Sequence, residues 1–351
     1  MRKLYYLALV SLLALAGCQK EAETKEPIAS VPTRILSAYV AMVENPTAVS
    51  VTLVGDESEA YREFFERAGL MVDTKGKGDI VFVAGALKAS AKLVEPDGVM
   101  ARTIDVRGKT MKDLAKELKK FPCRSAHLWM VGIDDWVLVG RKTPAAVKLS
   151  TVLDLFASDG GFEDLETAKC LGAEDIFANY VGDMADIAGV FDQEKKSLEP
   201  VRAQYVMTEK LAPISWIEVD EAMDPEVAKI LSDGIRSRRN MRKMVIEGNI
   251  LADDQKIEDA TKLWAKASLG NPNDAMLLDR LDRLWKNADT FVKVGNFATA
   301  AKCYETYLMI RPNDWQSAEA LSFCLQQLGK KSLSQQVHDK AMKLKELNEV
   351  K

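Results

Sequence analysis

The chain has 351 residues, which allows two or three domains and a full-sized core. Its 48 Lys and Arg against 52 Asp and Glu give a net charge of −4, so it carries no basic footprint for nucleic acid. Apolar residues make up 47% and charged residues 28%, ordinary for a globular chain, and only His127 and His338 are on hand for histidine-dependent chemistry.

Arg2 and Lys3 form a short positive head, followed by an apolar run of thirteen residues from Leu4 to Ala16. A bilayer span needs about 20 residues, so this run suits the apolar stretch of an export signal instead. It ends in Leu15-Ala16-Gly17-Cys18, which resembles the bacterial lipoprotein cleavage box. That resemblance implies a signal peptide over 1–17 and a diacylated Cys18 as the new N-terminus. Gln19 in place of Asp then implies the outer membrane, facing the periplasm, where the cell has one. Multiple acyl chains on one residue give firm anchoring. Residues 18–34 are charged and Pro-containing and read as a flexible tether.

The spacing predicts a helix over Ile35 to Val43, a break at Asn45-Pro46 and a strand over Val49 to Val54. Glu57 to Gly69 reads as a helix with Tyr61, Phe64, Phe65 and Ala68 on one face. Asp79 to Ala84 and Val99 to Val106 read as buried strands, Met111 to Lys120 as a basic amphipathic helix, and Ala126 to Val131 with Asp135 to Val139 as a strand pair. This alternation predicts a mostly parallel, doubly wound α/β domain over 35–222. Within it, Val147 to Phe156, Phe162 to Leu171 and Ala173 to Val181 read as helices, and Val201 to Val206 and Ile214 to Val219 as short β-like runs.

Several stretches, in order, resemble the spermidine synthase-like branch of the methyltransferase fold. They are Asp79-Ile80-Val81-Phe82-Val83, Leu93-Val94-Glu95-Pro96-Asp97-Gly98-Val99, Phe121-Pro122, His127-Leu128-Trp129, Trp136-Val137-Leu138-Val139-Gly140 and Asp175-Ile176-Phe177-Ala178-Asn179-Tyr180. The resemblance places a ligand pocket near Gly55, Asp56 and Asp79, and here the chain departs from the family. After the first strand only Gly55 survives of a glycine loop, with Asp56 and Glu57 crowding the nucleoside position. The stretch between Gly69 and Asp79 is too short for the next strand plus a helix, so the acidic ribose-holding residue is not identifiable. The position of the family's proton-accepting carboxylate is Ala84. The expected pocket is therefore vestigial and non-catalytic, with no cofactor. Cys123 and His127 lack a second pair at zinc spacing, so no metal is expected. Asp134-Asp135 reads as a turn.

From 223 to 351 the chain reads as helix pairs. Ala260, Trp264, Ala267 and Pro272 recur 40 residues on as Ala300, Tyr304, Tyr307 and Pro312, and 34 further, degraded, as Ser334, His338 and Ala341. The spacing resembles the tetratricopeptide (TPR) repeat, with Gly248, Ala288 and Ser322 as small residues for close helix approach and an overlong helix from Ala275 to Val294. The first helix of each pair would line a groove, where Asn249, Arg283, Asn287 and Gln326 are the candidate partner-binding residues. Arg236 to Lys243 reads as a solvated basic face, and Trp129, Trp136, Trp216, Trp264 and Trp285 as core. Cys303 and Cys324, on successive helices, are either a disulfide pair or buried thiols.

The expectation is thus a lipid-anchored, non-enzymatic envelope protein, α/β then all-α. It contacts the membrane through its anchor and a protein partner through TPR-like repeats. The alternative is an enzyme or polyamine- or nucleoside-binding protein that reuses the α/β pocket.

Overall fold

The computed structural model describes residues 29–349 apart from 86–90, 124, 158, 171, 186–213, 215 and 220–222. Two compact units emerge. The first comprises the described residues up to Arg242 together with Asn273–Ala275; the second comprises Lys243–Pro272 and the described residues from Met276 onward. The division falls inside one helix, between Arg242 and Lys243, rather than at the expected 222/223 boundary.

In the first unit, helix α1 (Val31–Glu44) starts where the Ser30 hydroxyl accepts from the Thr33 amide and Pro32 sits in the first turn. Every residue from Ile35 to Glu44 is buried, so α1 is a core helix with no solvent face over that stretch. The strands are β1 (Ser50–Val54), β2 (Met71–Asp73), β3 (Gly78–Val83), β4 (Val94–Asp105), β5 (Ser125–Met130), β6 (Asp135–Arg141) and β8 (Tyr180–Asp183). They form one sheet in the order β2-β1-β3-β4-β6-β5-β8. The first four run parallel, whereas β6 opposes both β4 and β5, and β8 opposes β5. The sheet is therefore mixed rather than mostly parallel. A separate parallel pair joins β7 (Val147–Lys148) to β9 (Ile217–Glu218).

Alternation along the strands sends Ile80, Phe82, Val99, Ala101, Trp129, Val137 and Val139 to the face that carries α1. Burying each large side chain there contributes about 1.5–3 kcal/mol. Two further helices, α2 (Arg62–Arg67) and α3 (Met111–Lys119), complete the alternating part of the chain. On α3, a capping box between Thr110 and Asp113 starts the helix, and Glu117 reaches Arg102 (3.6 Å) on the opposite sheet face.

Two strands differ from expectation. The run Gly69 to Asp79 holds a short strand the sequence did not single out, β2, and, as its length requires, no helix before β3. Ala173 to Val181 is the helix Ala173–Phe177 followed by β8, because Asn179 turns the chain: its amide side chain donates to the carbonyls of Asp175 and Ile176. Shorter helices Leu149–Phe156 (α4) and Asp159–Thr167 (α5) precede this one (α6).

The second unit is all helical: the end of α7 (Pro225–Asp253), then α8 (Ile257–Gly270), α9 (Ala275–Lys293), α10 (Phe297–Ile310), α11 (Trp315–Gln327) and α12 (Lys331–Glu349). The turns α7–α8, α9–α10 and α11–α12 repeat one geometry. Gln255, Gly295 and Gly329 each adopt a left-handed φ, of 65°, 75° and 74°. The following amides (Lys256, Asn296, Lys330) each donate five residues back, to the carbonyls of Leu251, Phe291 and Leu325, at 2.8–2.9 Å. These are Schellman closures, and their recurrence 40 and then 34 residues on makes the unit three equivalent helix pairs. Close approach within a pair is visible at Gly248, where a Cβ would sit 2.5 Å from Trp264 Nε1. In the third pair the same approach is made by Ser322 and Ser334, whose hydroxyls donate to each other's carbonyls at 2.9 Å.

Candidate functional site

In an open α/β sheet, ligands bind beyond the carboxyl ends of strands whose connections leave in opposite directions. Here that point lies between β1, which leads to β2 on one side, and β3, which leads to β4 on the other. Gly55 and Asp56 leave β1 at this place, exposed. The Ala84 amide donates to the Val54 carbonyl at 3.0 Å, which draws the two strand ends together. Gly55 has φ +103°, and a Cβ there would strike the Ala84 carbonyl oxygen. The Asp56 carboxylate in turn lies over Gly85, where a Cβ would meet Asp56 Oδ1. A carboxylate thus stands at the mouth of the switch point. Asp79 is not with them. It begins β3 at the opposite end of the sheet, where its Oδ2 accepts from the Val49 and Ser50 amides (both 3.0 Å) and the Ser50 hydroxyl (2.8 Å) and secures the entry to β1. Ala84 is fully buried.

A second cluster lies four strands away across the sheet, roughly 19 Å at the usual strand spacing. Glu44, the last residue of α1, is only 1% exposed. Its Oε1 accepts from His127 Nδ1 (2.7 Å) and Trp129 Nε1 (2.9 Å), both on β5. The other ring nitrogen of His127, Nε2, is 3.1 Å from Asp183 Oδ1, on which the Tyr180 hydroxyl also closes at 2.8 Å. Trp216 stacks on the imidazole with centroids 5.0 Å apart and planes at 21°. Burial pulls the His127 pKa down, but the Glu44 charge and hydrogen bond and the Asp183 charge outweigh it, so the net shift is upward. A carboxylate stands at each ring nitrogen, which favours the protonated ring, in which both nitrogens donate. In that form the ring has no free lone pair, and it clamps Glu44 to Asp183. Cys123 plays no part: it packs against Gly140, on the sheet face opposite His127, and burial pushes its thiol up to about 11. Among the described residues, no group of His, Cys, Asp and Glu could hold a metal ion.

The basic stretch Arg236 to Lys243 is not a solvated face. Arg242 is buried: its Nε donates to Asp274 Oδ2 (2.7 Å), one terminal nitrogen to the Met130 carbonyl (3.1 Å), and the other to Asn179 Oδ1. Arg239 donates to the Tyr180 carbonyl (3.4 Å) with its guanidinium 5.5 Å from the Tyr180 ring centre, and burial brings its pKa down to about 10. Arg238 meets Asp175 at 2.9 Å, while Arg236 remains in solvent. Sequence alone hides this, because a basic run at helical spacing looks the same whether its partners are waters or remote carboxylates.

In the helical unit, Arg283 pairs with Asp279 one turn back (3.1 Å), Asn287 is half-buried and Gln326 is exposed. Asn249 is buried, and its Oδ1 accepts from Arg280 at 3.1 Å, so it holds helices together rather than lining a free surface. Trp285 is not core: it is 39% exposed on α9, edge-on to Tyr304, and Phe323 on α11 is 45% exposed against Phe297. Cys303 and Cys324 are free thiols within one apolar cluster, and burial raises Cys303 to about 12. Cys18 and the run Val201 to Val206 lie outside the described residues, and no described helix is long and apolar enough to cross a membrane.

No protein-family model matches the chain, and no curated protein sequence matches it.

Proposed function

We propose that this is a lipid-tethered, non-catalytic envelope protein in which a degenerate synthase-like α/β domain serves as scaffold and TPR-like helix pairs hold a protein partner at the membrane surface. The observation that carries the reading is the exposure of Trp285 and Phe323 on α9 and α11, the first helices of their pairs. Large exposed aromatics are the side chains that most often anchor protein interfaces. Asp56 standing over Gly85 supports the non-catalytic half of the reading, since that carboxylate opposes an anionic ligand at the place where α/β sheets bind them. Lipidation of Cys18 and an outer-membrane position rest on the Leu15-Ala16-Gly17-Cys18 pattern and Gln19.

The test is a comparison of the membrane-tethered full chain with its Trp285→Ala/Phe323→Ala variant in quantitative pulldown. A partner enriched on the first and lost on the second, with the helical content of both unchanged, is the expected result. No difference between the two overturns it. A saturable thermal shift with a polyamine or nucleoside, abolished by Asp56→Ala, would instead establish a small-ligand protein.

A further inference from the structure

We propose that the Glu44–His127–Asp183 cluster is a proton-operated latch on the outer strand of the sheet. The doubly protonated ring of His127 ties α1 to β8, and loss of one proton releases the Asp183 end. This does not depend on the partner-binding reading above.

The titratable and charged groups that face His127 come from three elements besides its own, and the uncharged Trp216 ring stacks on it. Glu44 is from α1, Asp183 and Tyr180 are from β8, and Arg141 is from β6, where its positive charge opposes the imidazolium. A neutral imidazole donates through one nitrogen only. Glu44 is almost wholly buried, so stripping its donor is costly, and the remaining proton stays on Nδ1. Nε2 then turns a lone pair toward Asp183 Oδ1 at 3.1 Å, an acceptor facing an acceptor. The Asp183 side chain is 39% exposed, so it can swing into water at small cost. Release at Asp183 does not stop there, because among the described residues β8 pairs with β5 alone, and its Tyr180 carbonyl and ring hold Arg239. The direction follows from linkage. A histidine whose folded pKa lies above its ordinary value contributes its full stabilisation below about pH 6.5 and loses it as pH rises through the folded value.

The full-length chain has two histidines, so ring signals of protein carrying 15N-labelled histidine are assigned with one His338→Gln variant. Titration from about pH 5 to about pH 9 should place the His127 midpoint above that of a free histidine. Over the same interval, amide exchange at Tyr180–Asp183, corrected for its intrinsic pH dependence, should lose protection by roughly tenfold for each unit of upward shift. Asp183→Asn keeps the shape of a half-exposed side chain and should fold; it should lower the His127 midpoint and flatten the protection step. Protection that stays level through the His127 titration, a midpoint at or below the ordinary value, or an Asp183→Asn variant with an unchanged step each overturns the latch.

Discussion

Replacing Arg242 with Met tests whether the basic run is a clasp or a solvated face. The substitution keeps most of the apolar stem and removes three donors. Asp274 loses its guanidinium at 2.7 Å, and the Met130 carbonyl and Asn179 Oδ1 lose theirs, all at buried positions. Breaking a buried ion pair costs about 3–5 kcal/mol, and each orphaned acceptor adds about 1–3, but these overlap because one side chain serves all three. We expect about 3–5 kcal/mol in total, against less than about 1 for Arg236→Met, whose exposed partner Asp233 is 3.5 Å away. The assay is urea unfolding followed by tryptophan fluorescence, to which Trp129, Trp136 and Trp216 in the α/β unit and Trp264, Trp285 and Trp315 in the helical unit contribute, with the midpoint compared between the two variants. In the double variant Arg242→Met/Asp274→Asn, part of the loss should return, because the carboxylate is then neutral. Equal, small effects at Arg242 and Arg236 would refute the buried clasp.

Gln255→Gly should stabilise the helical unit, by up to about 1 kcal/mol in urea or thermal melts. It relieves a left-handed L-residue (about 1–2 kcal/mol) at the expense of about 0.5–1 in unfolded-chain entropy. Gly55→Ala and Gly295→Ala should separate sharply in the same measurement. Both sites have positive φ, but a Cβ at Gly55 strikes the Ala84 backbone whereas nothing lies within 4 Å of one at Gly295. About 1 kcal/mol is expected at Gly295 and several at Gly55. Cys18→Ser should abolish incorporation of radiolabelled fatty acid and move the protein from the membrane pellet to the supernatant.

Helix α1 and strands β1, β3, β5 and β6 were readable as runs of apolar residues with the right period, since burial on one or both faces is written into composition. The strand β2 was not, because Met71-Val72-Asp73 has too few residues for any period and exists through its register with Ser50 to Thr52. At β8 the apolar spacing runs on from α6 without a break, and only the Asn179 hydrogen bonds show where the helix ends. The clamp partner Glu44 lies just past the expected helix Ile35 to Val43 and was not singled out, because its meaning requires His127, 83 residues on. The repeat residues Ala260, Trp264, Ala267 and Ala300 are buried as their spacing suggests, whereas Trp285 is not, since apolar character alone does not say which turn of a helix faces a neighbour.

The single helix α7 has a consequence for how this chain can be divided and inherited. Its first half carries the arginines that belong to the α/β unit, its second half opens the first helix pair, and Asp274 returns to Arg242 from the turn before α9. Two sets of interactions are therefore interleaved along one stretch of gene. A fragment that starts at 223 takes three arginines away from Asp175, Tyr180 and Asn179, and one that ends at 242 leaves Arg242 without Asp274. The helix pairs are not a cassette that recombination can move intact. Substitutions at 175–183, 238–242 and 274 must change together, and that joint variation is the mark this architecture should leave on related sequences.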